Sequence, residues 1–297
     1  MAGPRRVLSW RAKARRLLSF VHAATYELNP NNFENPWKAA YRTILEDAIK
    51  GRDSENAQVR EEYDVFLQVT QQANVDVTIR LDRLTARSCR PDLVTGFYVL
   101  GEFEADGYPV KDFVVAVFVE LKRAPSRREV SFRKGHPYSE QGVHAILRQL
   151  HKAQRQVENQ ASLYLQTRAG LTQDRVMLVA GAGRWMTFAV MYRRKAKRVA
   201  MDPWKLVQDL ADEKIQDDLE DDMAWYGPGD LLPRGPRQRM PPPLHPMPSG
   251  GLQWSPIGKA HGSSLAGHLR DFLNDFERDY VRVKILENTV LRPLHHY

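Results

Sequence analysis

Apolar residues recur at helical spacing over residues 36–50, where Ala40, Ile44, Leu45 and Ala48 share one stripe between Pro36 at the opening and Gly51 at the stop. That spacing predicts a helix, and a second helical stretch is expected over residues 61–72. The period then changes from helix to strand: Val75, Val77, Ile79 and Leu81 alternate with Asp76, Thr78 and Arg80, as in a half-buried strand. Strands are expected again at residues 93–100 and 113–121, either side of a turn-rich stretch at 104–109. The second holds the β-branched run from Val114 to Val119, almost wholly apolar, and a strand of that character belongs in the middle of a sheet. A long helix is predicted over residues 139–166, with Val143, Ile146, Leu147, Leu150, Ala153, Val157 and Tyr164 on one stripe. Strands at 176–180 and 185–192 then flank Gly181-Ala182-Gly183, read as a hairpin turn.

Beyond this region the character changes. Residues 201–226 form a helix-like stretch ending in acidic residues from Asp212 to Asp222, and residues 227–262 are rich in Pro and Gly, as in an extended linker. Residues 263–297 carry an amphipathic helix with Leu265, Leu269, Phe272, Leu273, Phe276 and Tyr280 on one side, which must dock on the core or on a protein partner. At the other end, residues 1–27 form a basic leader holding Arg5, Arg6, Arg11, Lys13, Arg15 and Arg16 but no acid before residue 27. On a helix Val7, Ala14, Leu17, Leu18 and Val21 share its apolar face. The shape is that of a mitochondrial presequence, and also that of a basic helix lying on the domain or on nucleic acid. Residues 28–200 remain as one α/β domain with a C-terminal extension.

Composition narrows the classes of function. The 297 residues contain no apolar run of the roughly 20 needed to cross a bilayer, so a soluble, intracellular chain of nucleus or cytoplasm is expected, with the mitochondrion as the leader's alternative. A formal net charge of +8 favours a polyanionic partner, because Lys and Arg release counterions from phosphate backbones. The single cysteine, Cys89, excludes an intramolecular disulfide and any cysteine-based metal cluster, and reads as a small buried hydrophobe. The glycines at 181 and 183 precede β-prone Trp185, Thr187, Phe188 and Val190 instead of a helix, which argues against a dinucleotide-binding loop. No H-E-x-x-H pattern occurs, and neither a glycine-rich loop nor His-Arg-Asp accompanies the Val119-Glu120-Leu121-Lys122 run to make a kinase.

The chemistry gathers at two strand ends. Pro91-Asp92 opens one strand, and Glu120-Leu121-Lys122 closes the next and most apolar one. Side chains alternate along a strand, so Glu120 and Lys122 face one way and Leu121 the other. Phosphodiester hydrolysis needs a divalent cation to neutralise developing charge, and magnesium takes few protein ligands, commonly one or two carboxylates, so two acids beside a lysine suffice. On the long helix Gln160 lies between Val157 and Tyr164 on the apolar stripe, where a glutamine must find a partner; Gln156 has an equal claim.

With these residues in view, the chain resembles the PD-(D/E)XK nuclease superfamily, the restriction-endonuclease-like fold, through Pro91-Asp92 and Glu120-Leu121-Lys122 and over residues 35–192. The resemblance implies a central mixed sheet flanked by helices, with Asp92 and Glu120 as ligands of Mg2+ or Mn2+ and Lys122 positioning water. It implies an acidic residue from a helix before the sheet, for which Glu46 is the candidate, and Gln160 with Tyr164 resembles the Q-x-x-x-Y of the RecB-like exonuclease branch. Arg127, Arg128, Arg133 and Lys134, with Tyr164, are the expected contacts to nucleic acid, DNA before RNA. Two alternatives stay open: a nuclease-like fold that binds nucleic acid without cutting it, and a protein-interaction module.

Overall fold

The computed structural model describes residues 10–24, 34–50, 65–71, 80–81, 84–85, 91–100, 110–125, 140–166, 173–196, 252–260 and 263–281. Four α-helices fall within them: α1 (Trp10–Ala24), α2 (Glu34–Lys50), α3 (Glu140–Gln166) and α4 (Ser263–Phe276), the last continuing as a π-helical turn, Glu277–Val281. The strands are β1 (Val65–Gln71), β2 (Arg80–Leu81), β3 (Leu84–Thr85), β4 (Leu93–Leu100), β5 (Val110–Lys122), β6 (Arg175–Ala182), β7 (Trp185–Tyr192) and β8 (Gly258–Lys259).

Six strands form one mixed sheet in the order β1-β4-β5-β6-β7-β8, and β2 pairs only with β3. The most apolar strand, β5, runs antiparallel to β4 and parallel to β6, and residues 114–122 are buried throughout. A parallel neighbour needs a long crossover, and α3 supplies it between β5 and β6. Helices α2 and α4 cover one face of the sheet, where Ile44, Leu45, Leu269 and Phe276 meet Phe97, Val117, Val119 and Val179. The other face takes α3, whose Ala153, Val157 and Ala161 meet Val94, Val115, Phe118 and Leu178. The sequence thus specifies an α/β architecture with a mixed open sheet flanked by helices.

One irregularity in β5 decides where the chemistry emerges. Thr95 pairs with Val117 and Gly96 with Val115, so Ala116 is an extra residue opposite the Thr95–Gly96 step. A bulge of one residue reverses the alternation beyond it. Val115 faces α3 whereas Val117, Val119 and Leu121 face α2, which sends Glu120 and Lys122 to the α3 side. Gly96 suits this place, since a Cβ there would meet Phe113 Cε2 at 2.2 Å.

Three expectations are corrected and one alternative is decided. Residues 65–71 form a strand and not a helix, because Leu67 and Val69 alternate with Gln68 and Thr70 and β4 offers them a full antiparallel ladder. The linker read at 227–262 is folded over residues 252–260: Ser255 N donates to Phe188 O at 2.8 Å, Ala260 N to Arg184 O at 2.8 Å, and Leu252, Ile257 and Ala260 are buried. Of the two alternatives left for the apolar face of the C-terminal helix, the structure shows the core: Phe276 stacks on Phe97 at 5.8 Å, and four buried apolar side chains, each worth about 1.5–3 kcal/mol, hold α4 there. The basic leader is likewise built in, and on the opposite face to the one expected. Phe20 and Ala23 are buried, Phe20 lying 6.1 Å from the rings of Trp37 and Tyr41, while Leu17, Leu18 and Val21 are 57%, 66% and 45% exposed. Residues 75–79 of the alternating stretch, the acidic segment at 201–226 and the basic loop at 126–139 lie outside the described residues.

Candidate functional site

The ladder between β4 and β5 brings the two strand-end motifs together. Leu93 pairs with Val119, so the next step sets Asp92 beside Glu120. Asp92 precedes the first strand residue, and its carboxylate continues the ladder in place of backbone: Oδ2 accepts the Leu121 N–H at 2.8 Å. The peptide that Asp92 grips is therefore the Glu120–Leu121 bond, inside the E-x-K segment. From the other end, Gly183, left-handed at φ 56° in the β6–β7 turn, donates its N–H to Lys122 O at 3.1 Å.

On the α3 side, Lys122 Nζ donates to Gln156 Oε1 at 2.7 Å and lies 3.6 Å from Glu120 Oε1. Gln160 Nε2 donates to Glu120 Oε2 at 3.2 Å. Gln156 and Gln160 are one helical turn apart, so a single face of α3 fixes both the lysine and the acid of the E-x-K segment. The Gln160 Oε1 atom is buried and has no hydrogen-bond partner among the described residues.

On the α2 side the structure adds two residues. Lys38 Nζ lies 2.9 Å from Asp92 Oδ1 and 2.6 Å from Glu34 Oε1, making a bridge of one ammonium between two carboxylates. Burial, and Asp92 next, push the Glu34 carboxyl up to about 7, against the pull of Lys38 and Lys122. For Lys38 burial acts downward, but Asp92 and Glu34 outweigh it and hold the ammonium above the ordinary lysine range. Asp92 and Glu120 are each 1% exposed, Lys122 4% and Lys38 5%, so four of these charges have lost almost all contact with water.

In this cluster three carboxylates, Glu34, Asp92 and Glu120, lie beside two ammoniums, Lys38 and Lys122. Buried charge is costly unless neutralised, and the Glu34 carboxyl is raised by burial first and by Asp92 second. All the acidic donors are hard oxygens, and the unpartnered Gln160 Oε1 belongs to the amide that holds Glu120. A magnesium-type cation takes one or two such carboxylates and completes its shell with water, but here each carboxylate oxygen of Asp92 and Glu120 already has a partner. Among the described residues no three acidic, histidine or cysteine side chains already surround a common point. Asp92 is turned toward α2 and Glu120 toward α3, so a cation would have to draw the two together at the strand ends.

Of the expected residues, Asp92, Glu120, Lys122 and Gln160 are gathered here. Glu46 is not: it pairs with Arg42 at 2.9 Å and follows Lys38 by eight residues, about 12 Å along a helix, so the helix acid of this site is Glu34. Tyr164 is also corrected as a nucleic-acid contact. It is buried beside Phe118 with ring centroids 5.4 Å apart, its hydroxyl accepts the Val115 N–H at 3.0 Å and donates to Gln173, and so it braces the core. Arg127, Arg128, Arg133 and Lys134 lie outside the described residues. A signal for Glu34 and Lys38 did exist. They continue the buried stripe of α2 through Tyr41 and Leu45 at steps of four, three and four, and two charges on an apolar stripe need partners.

No protein-family model matches the sequence, and no curated protein or solved structure matches the chain. Fold and geometry alone therefore bear on what the site does.

Proposed function

We propose that the chain is a divalent-metal-dependent nuclease that hydrolyses phosphodiester bonds, DNA in preference to RNA, at Asp92, Glu120 and Lys122. The observation that supports this reading is the buried cluster at the β4–β5 strand ends, where Asp92, Glu120 and Lys122 come together with Glu34 and Lys38. Asp92 and Glu120 would hold a magnesium or manganese ion, with Glu34 as the third acid within reach. Such an ion neutralises charge on a phosphate and lowers the pKa of water. Lys122, held by Gln156 and Glu120, presents a fixed ammonium that orients a water or a phosphate oxygen. Gln160 keeps Glu120 turned toward that ammonium. The net charge of +8 supports a polyanionic substrate.

The near-complete burial of these side chains favours a second reading, in which the cluster only holds the strand ends and the fold binds nucleic acid without cutting it. The purified full chain, incubated with end-labelled DNA and RNA in Mg2+, Mn2+ or EDTA, separates the two. Cleavage that needs the cation and falls at least about 100-fold in folded Asp92→Asn and Lys122→Met, the scale of losing one preorganised charge stabiliser, supports the nuclease. Retention of labelled DNA in EDTA, with no cut in either cation, supports the second reading.

A further inference from the structure

The outer face of α3 changes character halfway along. His144, Arg148, His151 and Arg155 each stand two residues before a buried apolar residue of the same helix, Ile146, Leu150, Ala153 and Val157 in turn. Two residues turn a helix through about 200°, so the four basic side chains form one row on the side away from the sheet, and all four are exposed. Continued at the same helical steps, the row reaches Glu158 and Ser162, which are buried. There Trp254 Nε1 donates to Glu158 Oε1 at 2.9 Å, and Leu252 joins the core on that side of the sheet. The chain thus covers the half of the row that carries no positive charge and leaves the basic half open.

We propose that this basic row is a docking surface for the sugar-phosphate backbone of nucleic acid, separate from the strand-end cluster. Residues 141–157 contain neither Asp nor Glu, so the cations at 148, 152 and 155 stand three and four residues apart with only like charge between them, which weakens a helix. Such a row returns free energy when phosphates lie along it and their counterions are released. From His144 to Arg155 it runs about 16 Å at about 1.5 Å per residue, the rise of about five nucleotides in one strand of a duplex. A bilayer would call for exposed apolar side chains beside the charges. Among the described residues the exposed large hydrophobics are Leu17, Leu18, Val21 and Tyr192, none of them on α3. The surface rests on the reading above only for the class of ligand, and it needs neither a metal nor a cut.

Binding of a short fluorescein-labelled DNA duplex to the full chain is followed by anisotropy in EDTA over a range of KCl concentrations. The wild type is compared with Arg148→Gln/Arg155→Gln, Arg148→Lys/Arg155→Lys and Arg42→Gln/Arg278→Gln, the last removing the same two charges from exposed positions elsewhere. At about 0.9 of a decade per phosphate contact, the Gln pair on α3 is expected to weaken binding about 60-fold at about 0.1 M salt and to lower the slope of log Kd against log salt by about 1.8. The Lys pair and the distant pair should stay close to the wild type, and circular dichroism should be the same for all four. Wild-type binding that the Gln pair on α3 leaves intact, or that the distant pair or the Lys pair weakens as much, overturns the surface while the nucleic-acid reading stands. No duplex binding by the wild type even at low salt overturns both. Phosphatidylserine vesicles are run in parallel: capture that falls in the Gln pair on α3 while duplex binding holds would give the row to a membrane and overturn the inference.

Discussion

Replacing Glu34 by Gln keeps the shape of the side chain and removes its ionisable, buried carboxyl. In the folded protein this carboxyl rises from its ordinary 4.5 to about 7, first through burial and then through Asp92. At about 1.4 kcal/mol for each tenfold change in proton affinity, ionising it costs the fold about 3 kcal/mol relative to the unfolded chain. The sign follows from the folded state binding this proton more tightly: the contribution is whole below pH 4.5 and is lost as pH rises through about 7. Urea unfolding in EDTA, followed from pH 4.5 to 8 for the wild type and Glu34→Gln, isolates that contribution as the difference between two curves. The wild type is expected to lose about 3 kcal/mol more than the variant over the window, and saturating Mn2+ should shrink that difference by holding the ionised form. Parallel curves in EDTA would refute the raised Glu34 carboxyl.

Three further perturbations test the parts that position the site. Gly181→Ala is expected to cost about 1–3 kcal/mol in urea unfolding, because its Cβ would come within 2.6 Å of both Leu121 Cδ2 and the Tyr41 hydroxyl, and that hydroxyl is anchored to Trp185 O at 3.0 Å; an unchanged midpoint would contradict this packing. Phe20→Ala should cost about 3–5 kcal/mol and lower the thermal midpoint, since Phe20 closes the contact of α1 with Trp37 and Tyr41; a neutral result would make α1 a dispensable leader after all. Gln156→Leu withdraws the acceptor that Lys122 meets at 2.7 Å and is expected to cost about 1.5–3 kcal/mol in the same assay, and no loss would mean that Lys122 is held elsewhere.

Much of this fold was legible because most elements are buried on a defined face. The run ending at Glu120-Leu121-Lys122 announced the central strand, and it lies buried on both faces between α2 and α3. The stripe of α3 announced a covering helix in the same way, including the glutamine on its buried side. The short strand at 65–71 was misread because five residues of alternation beside helix-tolerant Gln and Leu carry little period of their own, and pairing with β4 decides the outcome. The leader's face was misjudged for a related reason. Hydrophobicity alone favours Leu17 and Leu18, but the aromatic pocket of Trp37 and Tyr41 accepts Phe20. At the site, spacing supplied Asp92, Glu120 and Lys122, whereas Glu34 and Lys38 left only the weaker signal of two charges continuing the buried stripe of α2, and the contact of Lys38 with Asp92 gives it meaning. Nor did the strand pattern reveal the bulge at Ala116, without which Glu120 and Lys122 would face α2.

The most direct trial is a single-turnover assay of end-labelled DNA with the full chain in excess, run in Mn2+ and in EDTA with the wild type and a folded Glu120→Gln variant. New 5′ and 3′ ends should form only with the wild type in Mn2+. Equal cutting by the variant, or intact DNA in every lane, would remove phosphodiester hydrolysis from this cluster.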